Sequence, residues 1–247
     1  MSVVWAGIWA IAGLLIGSAI WTIADKQIRG ALVTTVRPVC LSCGAERSMR
    51  NWLPLTWITD ADVCAHCGDT DGRVRRVWEI AVAVYFVLAL AVFDAELSPG
   101  RLIVASLPLL LILAVDLKVQ AVFVQHCYVA IVIGLFLGLT EGASEAANAM
   151  AGMGIALAVA ALFLVITRWL YRSLNVRTSP IGLTDLYVAA AMGALVRADA
   201  LLPALVASVL LAAGYGIIVP VIRPGARSRL APFGPFLCVG GLIALSL

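Results

Sequence analysis

Apolar residues in this chain come in long blocks separated by short polar breaks. Eight runs can be marked, at roughly 4–23, 78–95, 101–117, 121–139, 147–171, 181–197, 199–222 and 230–246. A helix needs about 20 apolar residues to cross the hydrocarbon core of a bilayer. Within that core each backbone N–H and C=O must be satisfied internally, and a helix does this alone. Composition agrees: 63% of the residues are hydrophobic and only 13% charged, against about 25% charged in a soluble domain. The expected fold is an all-α polytopic membrane protein of about eight transmembrane helices with a small polar insertion. Seven helices result if 101–139 is divided differently. The organisation follows as a first helix at 1–23, an insertion at 24–77, and a seven-helix bundle at 78–247.

The distribution of charge orients the chain. Eight of the 17 basic residues fall in 24–77. Lys118, the 168–180 loop with Arg168 and Arg172, and the 223–229 loop carry seven more. With eight spans these stretches share one side, and the positive-inside rule makes that side cytoplasmic. The other side keeps Arg101 and Arg197 among Asp94, Glu96, Glu141, Glu145 and Asp199. Arg197 and Asp199 read as a solvated turn. Both termini are then outside. The first run has its positive charges after it, so it reads as a retained helix and not as a secretory signal.

Two acidic residues stand apart from the polar breaks. Asp116 ends the run Leu107–Asp116, and Asp185 opens the run Asp185–Gly193. A carboxylate at membrane depth is costly and marks a functional site by default. One helix arrives at the cytoplasmic face with Asp116, and another leaves it with Asp185. Two carboxyls side by side share a proton. One then takes a proton from water while the other polarises a carbonyl. The plainer reading is that each aspartate caps a helix or pairs with a basic neighbour.

Four of the six cysteines form Cys40-Leu-Ser-Cys43 and Cys64-Ala-His-Cys67, with 20 residues between the pairs. This is the spacing of a two-knuckle structural zinc site. Each Cys-x-x-Cys turn aims two sulfurs at one point, and zinc takes four in a tetrahedron. Gly44 and Gly68 follow the second cysteines, where a tight turn favours positive φ. Two disulfides or free thiols are the alternative, and a cytoplasmic position argues against disulfides. Trp52, Leu53, Leu55, Trp57 and Ile58 lie between the pairs, to form a small core or rest on the membrane. Cys127 and Cys238 read as small core residues, and His126 as a packing residue. Glu79 reads as a structural partner of Arg75 or Arg76, and Gly13 and Gly17 as sites of close helix packing.

Taken in order, these pieces resemble the type IV prepilin peptidases, membrane aspartic peptidases of the Gly-x-Gly-Asp type. Gly13-Leu-Leu-Ile-Gly17-Ser18 resembles the family's first-helix motif. The two cysteine pairs with Trp52-Leu-Pro-Leu-Thr-Trp57 between them are similar to its cytoplasmic zinc module, and Glu79 to an acidic residue opening its second helix. Asp116-Leu-Lys118 and Gly182-Leu-Thr-Asp185 resemble its two catalytic motifs, and Pro232-Phe-Gly-Pro235 its last-helix signature.

The resemblance implies catalytic Asp116 and Asp185, with Lys118, Gly182 and Thr184 around them, and zinc on Cys40, Cys43, Cys64 and Cys67. It implies a bacterial inner-membrane endopeptidase that cleaves leader peptides from prepilins or pseudopilins at the cytoplasmic face. It extends to methylation of the new N-terminus with S-adenosylmethionine, for which the chain has no recognisable loop of its own. The expected partners are those substrates and the lipid bilayer, with no nucleic acid. Three positions depart from the family: Thr184 replaces a glycine, Tyr187 a lysine, and Phe123-Val124 a proline-containing turn. Two other functions compete: a non-catalytic scaffold for pilus or secretion assembly, and an ion-coupled transporter.

Overall fold

The computed structural model describes residues 3–30, 37–55, 63–69, 72–92, 98–173, 182–222 and 233–247. Trp57, Ile58, Asp94, Glu96, Pro232, Arg177 and the basic 223–229 loop lie outside them. The described residues form eight α-helices: α1 (Val3–Ile28), α2 (Gly72–Val87), α3 (Pro99–Val119), α4 (Val124–Glu141), α5 (Ala143–Ser173), α6 (Leu183–Val196), α7 (Leu201–Ile222) and α8 (Gly234–Ser246). A 3₁₀ turn, Met49–Trp52, lies between α1 and α2, and a π-helical segment, Leu88–Val92, extends α2. Five helices, α1, α3, α4, α5 and α7, are long and apolar enough to cross a membrane. The other three are shorter, and α6 has 14 residues. At 1.5 Å per residue that is about 21 Å, against a hydrocarbon core of about 30 Å.

Several helices outrun their apolar blocks, because polar residues end a hydrophobic run without ending a helix. α1 continues through Asp25, Lys26 and Gln27. α2 begins at Gly72 and takes in Arg73, Arg75 and Arg76. α5 begins at Ala143 and runs to Ser173, so Arg168 and Arg172 stand on a helix and not in a loop. Lysine, glutamine and arginine are good helix formers.

The chain divides into two compact units, 1–96 with 246–247, and 97–245. In the first, α1 packs on α2 through glycine. A Cβ on Gly13 would lie 2.5 Å from the Cα of Ala83, so only glycine fits. The Trp78 indole donates to the Gly17 carbonyl at 2.9 Å. Glu79 is fully buried and accepts from Arg75 at 2.8 Å. The pair also holds the 3₁₀ segment. The Leu55 N–H donates to Glu79 at 2.9 Å, and Arg75 donates to the Leu53 carbonyl at 3.1 Å and to Ser18 Oγ at 2.6 Å. Ser18 in turn donates to the Trp52 carbonyl at 3.0 Å. A buried ion pair is tolerated when its remaining donors and acceptors are filled in this way.

In the second unit α6 is the central element. Its run Val188–Val196 is buried throughout, one of the two settings, core or bilayer, that suit a helix apolar on every side. Small residues let its neighbours approach. A Cβ on Gly134 of α4 would stand 2.7 Å from the Ala194 carbonyl, and one on Gly241 of α8 would stand 2.8 Å from Met192. Gly152 of α5 and Gly193 of α6 meet backbone to backbone. Gly142, at φ +136°, is the single residue between α4 and α5, a turn that side-chain-bearing residues rarely adopt.

One end of this unit holds an ion cluster. Arg197 is 5% exposed. It donates to Glu141 at 2.5 Å and to Glu145. Arg101 reaches the same Glu141 at 2.9 Å. Arg197 is therefore a buried tie between α4, α5 and α6, not a residue of a solvated turn. Reaching two carboxylates at once is what a guanidinium offers and a short turn sequence does not reveal.

Candidate functional site

Asp116 and Asp185 meet at the opposite end of that unit. Asp116 lies in the last turn of α3, where its carbonyl accepts the N–H of Gln120 at 2.8 Å. Asp185 lies in the first turn of α6. Both are buried, at 3% and 6% exposure. Gly234, the first residue of α8, sits against both. A Cβ there would lie 3.3 Å from Asp185 Oδ1 and 3.4 Å from Asp116 Oδ2. The two oxygens are thus separated by no more than the sum of those distances. The helix packing brings together carboxyls that are separated in the chain by two helices, α4 and α5.

Their surroundings differ. Asp185 Oδ2 accepts the Gly182 N–H at 2.8 Å, and the Gly234 N–H also interacts with this carboxylate. Two helix N-termini, with their unpaired N–H groups, therefore face Asp185. The bond to Gly182 is one half of a capping box, so the capping role considered from sequence is present in the geometry. Asp116 Oδ2 is buried and has no hydrogen-bond partner among the described residues.

Of the residues expected around the pair, Gly182 is the N-cap of α6 and touches Asp185 directly. Thr184 is exposed beside it. Lys118 is half-buried and two positions beyond Asp116, about 200° round the helix, so it leaves α3 from a different face. Tyr187 packs edge-on against Tyr128, with ring centroids 5.9 Å apart. Phe123 packs on His126 at 5.5 Å. Cys127 and Cys238 are fully buried. Gly234 falls inside the Pro232–Pro235 motif, but nothing in that motif placed it against the two carboxyls. Its signal is its place between Phe233 and Pro235, directly before an apolar helix.

The four paired cysteines converge in the first unit. Their sulfurs all lie within 4.8 Å of one another. Cys40 and Cys67 stand 3.7 Å apart, as do Cys43 and Cys64. A tetrahedral ion with metal–sulfur bonds of about 2.3 Å separates its sulfurs by about 3.8 Å. Each pair sits on the same turn. Gly44 donates to the Cys40 carbonyl at 2.9 Å and Gly68 to the Cys64 carbonyl at 2.8 Å. Both glycines have positive φ, +77° and +71°. Ser42 and Asp69 bond across the two turns. The arrangement can hold one metal ion, and its donor set is consistent with zinc. No disulfide joins the four cysteines in this arrangement.

The electrostatics agree with a cation site. Burial pushes the Cys40 thiol up, but the N–H groups of Cys43 and Ser42 and the Arg47 guanidinium outweigh it and bring it down to about 6. The N–H groups of Cys67 and His66 lower Cys64. For Cys67 the Asp69 N–H pulls down, yet burial and the three neighbouring thiols prevail and drive it up to about 12. Four sulfurs this close cannot all lose their protons without a positive ion between them. Comparison with family models, with curated proteins and with solved structures finds no match to this chain.

Proposed function

We propose that this protein is a membrane-embedded aspartic endopeptidase of the type IV prepilin peptidase kind. The observation that carries the reading is the convergence of Asp116 and Asp185 on Gly234. On this reading the pair shares one proton. It rests on Asp116 Oδ2, the buried oxygen with no donor. Asp185, faced by N–H groups, keeps the negative charge and takes the proton from the attacking water. Asp116 hydrogen-bonds the scissile carbonyl and stabilises the oxyanion as it forms. The substrates are prepilins or pseudopilins of a bacterial inner membrane, cut at its cytoplasmic face. The four-thiol cluster holds structural zinc through Cys40, Cys43, Cys64 and Cys67. Methyl transfer from S-adenosylmethionine is the part of the proposal carried by family resemblance alone.

The capping bond from Gly182 to Asp185 supports a second reading, a non-catalytic scaffold for pilus or secretion assembly. One experiment separates the two. Purified protein is incubated with a pilin precursor alongside the Asp116→Asn and Asp185→Asn variants. The peptidase reading expects cleavage that both substitutions abolish. Absence of cleavage, with pilus assembly in cells supported equally by Asp116→Asn, leaves the scaffold.

A further inference from the structure

The segment Met49–Leu55 divides its polar and apolar groups sharply. Its backbone is bonded to α1 and α2. The Trp52 carbonyl accepts from Ser18, the Leu53 carbonyl accepts from Arg75, and the Leu55 N–H donates to Glu79. Within the segment the Leu53 N–H donates to the Arg50 carbonyl at 2.9 Å. Leu55 is at φ +62°, where residues with a side chain are seldom found, and its bond to the fully buried Glu79 holds it there. The apolar side chains are left outside. Leu53, Met49 and Leu55 are 56%, 48% and 36% exposed, so they form no core for the four-thiol module.

The level of the segment along the helices accounts for this division. α1 is long and apolar enough to cross a membrane, and Ser18 lies near the end of its apolar run 4–23. Trp78 opens the second apolar run, 78–95, and its indole meets the Gly17 carbonyl. The segment is therefore fastened where one apolar run ends and the other begins, at the border of acyl chains and headgroups. Irregular backbone at that level is tolerated where protein groups satisfy it, as they do here. The Lys26 ammonium lies over the Trp52 ring, 4.6 Å from its centroid, and tryptophan favours this border.

Met49, Arg50, Trp52 and Leu53 line a shallow recess of about 480 Å³. Three of these side chains are apolar surface, and the fourth is an exposed guanidinium. An occupant must then join hydrocarbon to negative charge. We propose that Met49–Leu55 is an interfacial seat for an anionic phospholipid, with acyl chain against Met49, Trp52 and Leu53 and the headgroup phosphate on Arg50. A guanidinium matches phosphate oxygens two at a time. The seat is independent of the peptidase reading.

The test uses the full chain in phosphatidylcholine vesicles carrying lipid brominated on its acyl chains. Dansylalanine is placed at Leu53, or at Glu46, an exposed position of the four-thiol module. Bromine should quench the probe at Leu53 and leave the one at Glu46 bright. Brominated phosphatidylglycerol should reach half-quenching at about fivefold lower mole fraction than brominated phosphatidylcholine. Arg50→Gln should erase that preference while quenching by phosphatidylcholine persists. Equal quenching at Leu53 and Glu46 overturns the seat, as does a preference that survives Arg50→Gln. If that variant unfolds, as read by circular dichroism, the wild-type comparison of the two lipids decides, and equal half-quenching there overturns the seat. Inorganic phosphate should not compete. If it erases the preference, the recess is a site for free anions and the lipid seat falls.

Discussion

The four-thiol cluster and the aspartate pair each crowd together groups that repel one another when ionised, and they do so by different means. Each thiol pair is built by a local turn closed within four residues by a backbone bond and a glycine of positive φ. The aspartates are placed by the ends of α3 and α6, and their meeting point is a glycine on α8. Local turns define a compact, nearly symmetric set of donors, which a cation can neutralise. Helix ends define an asymmetric pair, with N–H groups facing one member only. The lesson is that a site made by turns is suited to binding an ion, while a site made by packing can hold two like groups in unlike states.

Metal removal is the largest test of this contrast. Zinc on such a cluster is worth about 10–16 kcal/mol of apparent binding energy near neutral pH. Chelation, or Cys40→Ser, should open the four-thiol module to protease and leave α3–α8 helical, as read by limited proteolysis and circular dichroism. Loss of all helicity would mean that the two regions are not independent. The pH dependence has a definite sign. Cys67, at about 12, is protonated at neutral pH and must release its proton to bind. Affinity should therefore rise with pH by about tenfold per unit for each proton released, measured by competition with a chromophoric chelator. An affinity flat between pH 6 and 8 would refute that account.

Next come the aspartates. On the peptidase reading Asp116→Asn and Asp185→Asn each lower cleavage by about 10²–10⁴-fold while zinc content is unchanged. A smaller change for Asp185→Asn alone would assign Asp185 mainly to capping. Gly193→Ala tests the packing that brings the helices together. Its added methyl meets Gly152 and Ala156, and overpacking costs about 1–3 kcal/mol, visible as a lower melting temperature at constant metal affinity. Gly234→Ala should be the mildest. Its methyl would stand 3.3–3.4 Å from both carboxylates and shift them by tenths of an ångström. Cleavage falls about tenfold with little change in melting. An unchanged rate would show that the pair tolerates a wider spacing.

Much of this was readable from the residues. The helices follow from apolar blocks, and the thiol cluster from two Cys-x-x-Cys pairs, since both patterns are local. The Glu79–Arg75 pair was visible in its four-residue spacing. The environment of Arg197 was not, because its partners Glu141 and Glu145 lie more than 50 positions away and a short polar turn gives no sign of burial. Gly234 was hidden for the same reason. Its importance comes from what α3 and α6 bring to it, not from its neighbours in sequence. Helix ends were misjudged wherever charged residues continue a helix, as at Lys26 and Arg168.

The glycine on α8 has a consequence for biogenesis. A ribosome delivers α3 and α6 well before α8, and α6 is too short to settle across a bilayer unaided. Until α8 docks, Asp185 lacks its Gly234 contact and the pair lacks a wall. The nascent chain therefore carries its carboxylates unassembled, and the pocket closes only once translation has passed Gly234. Synthesis and docking of α8 therefore set the earliest moment at which this site can come into being.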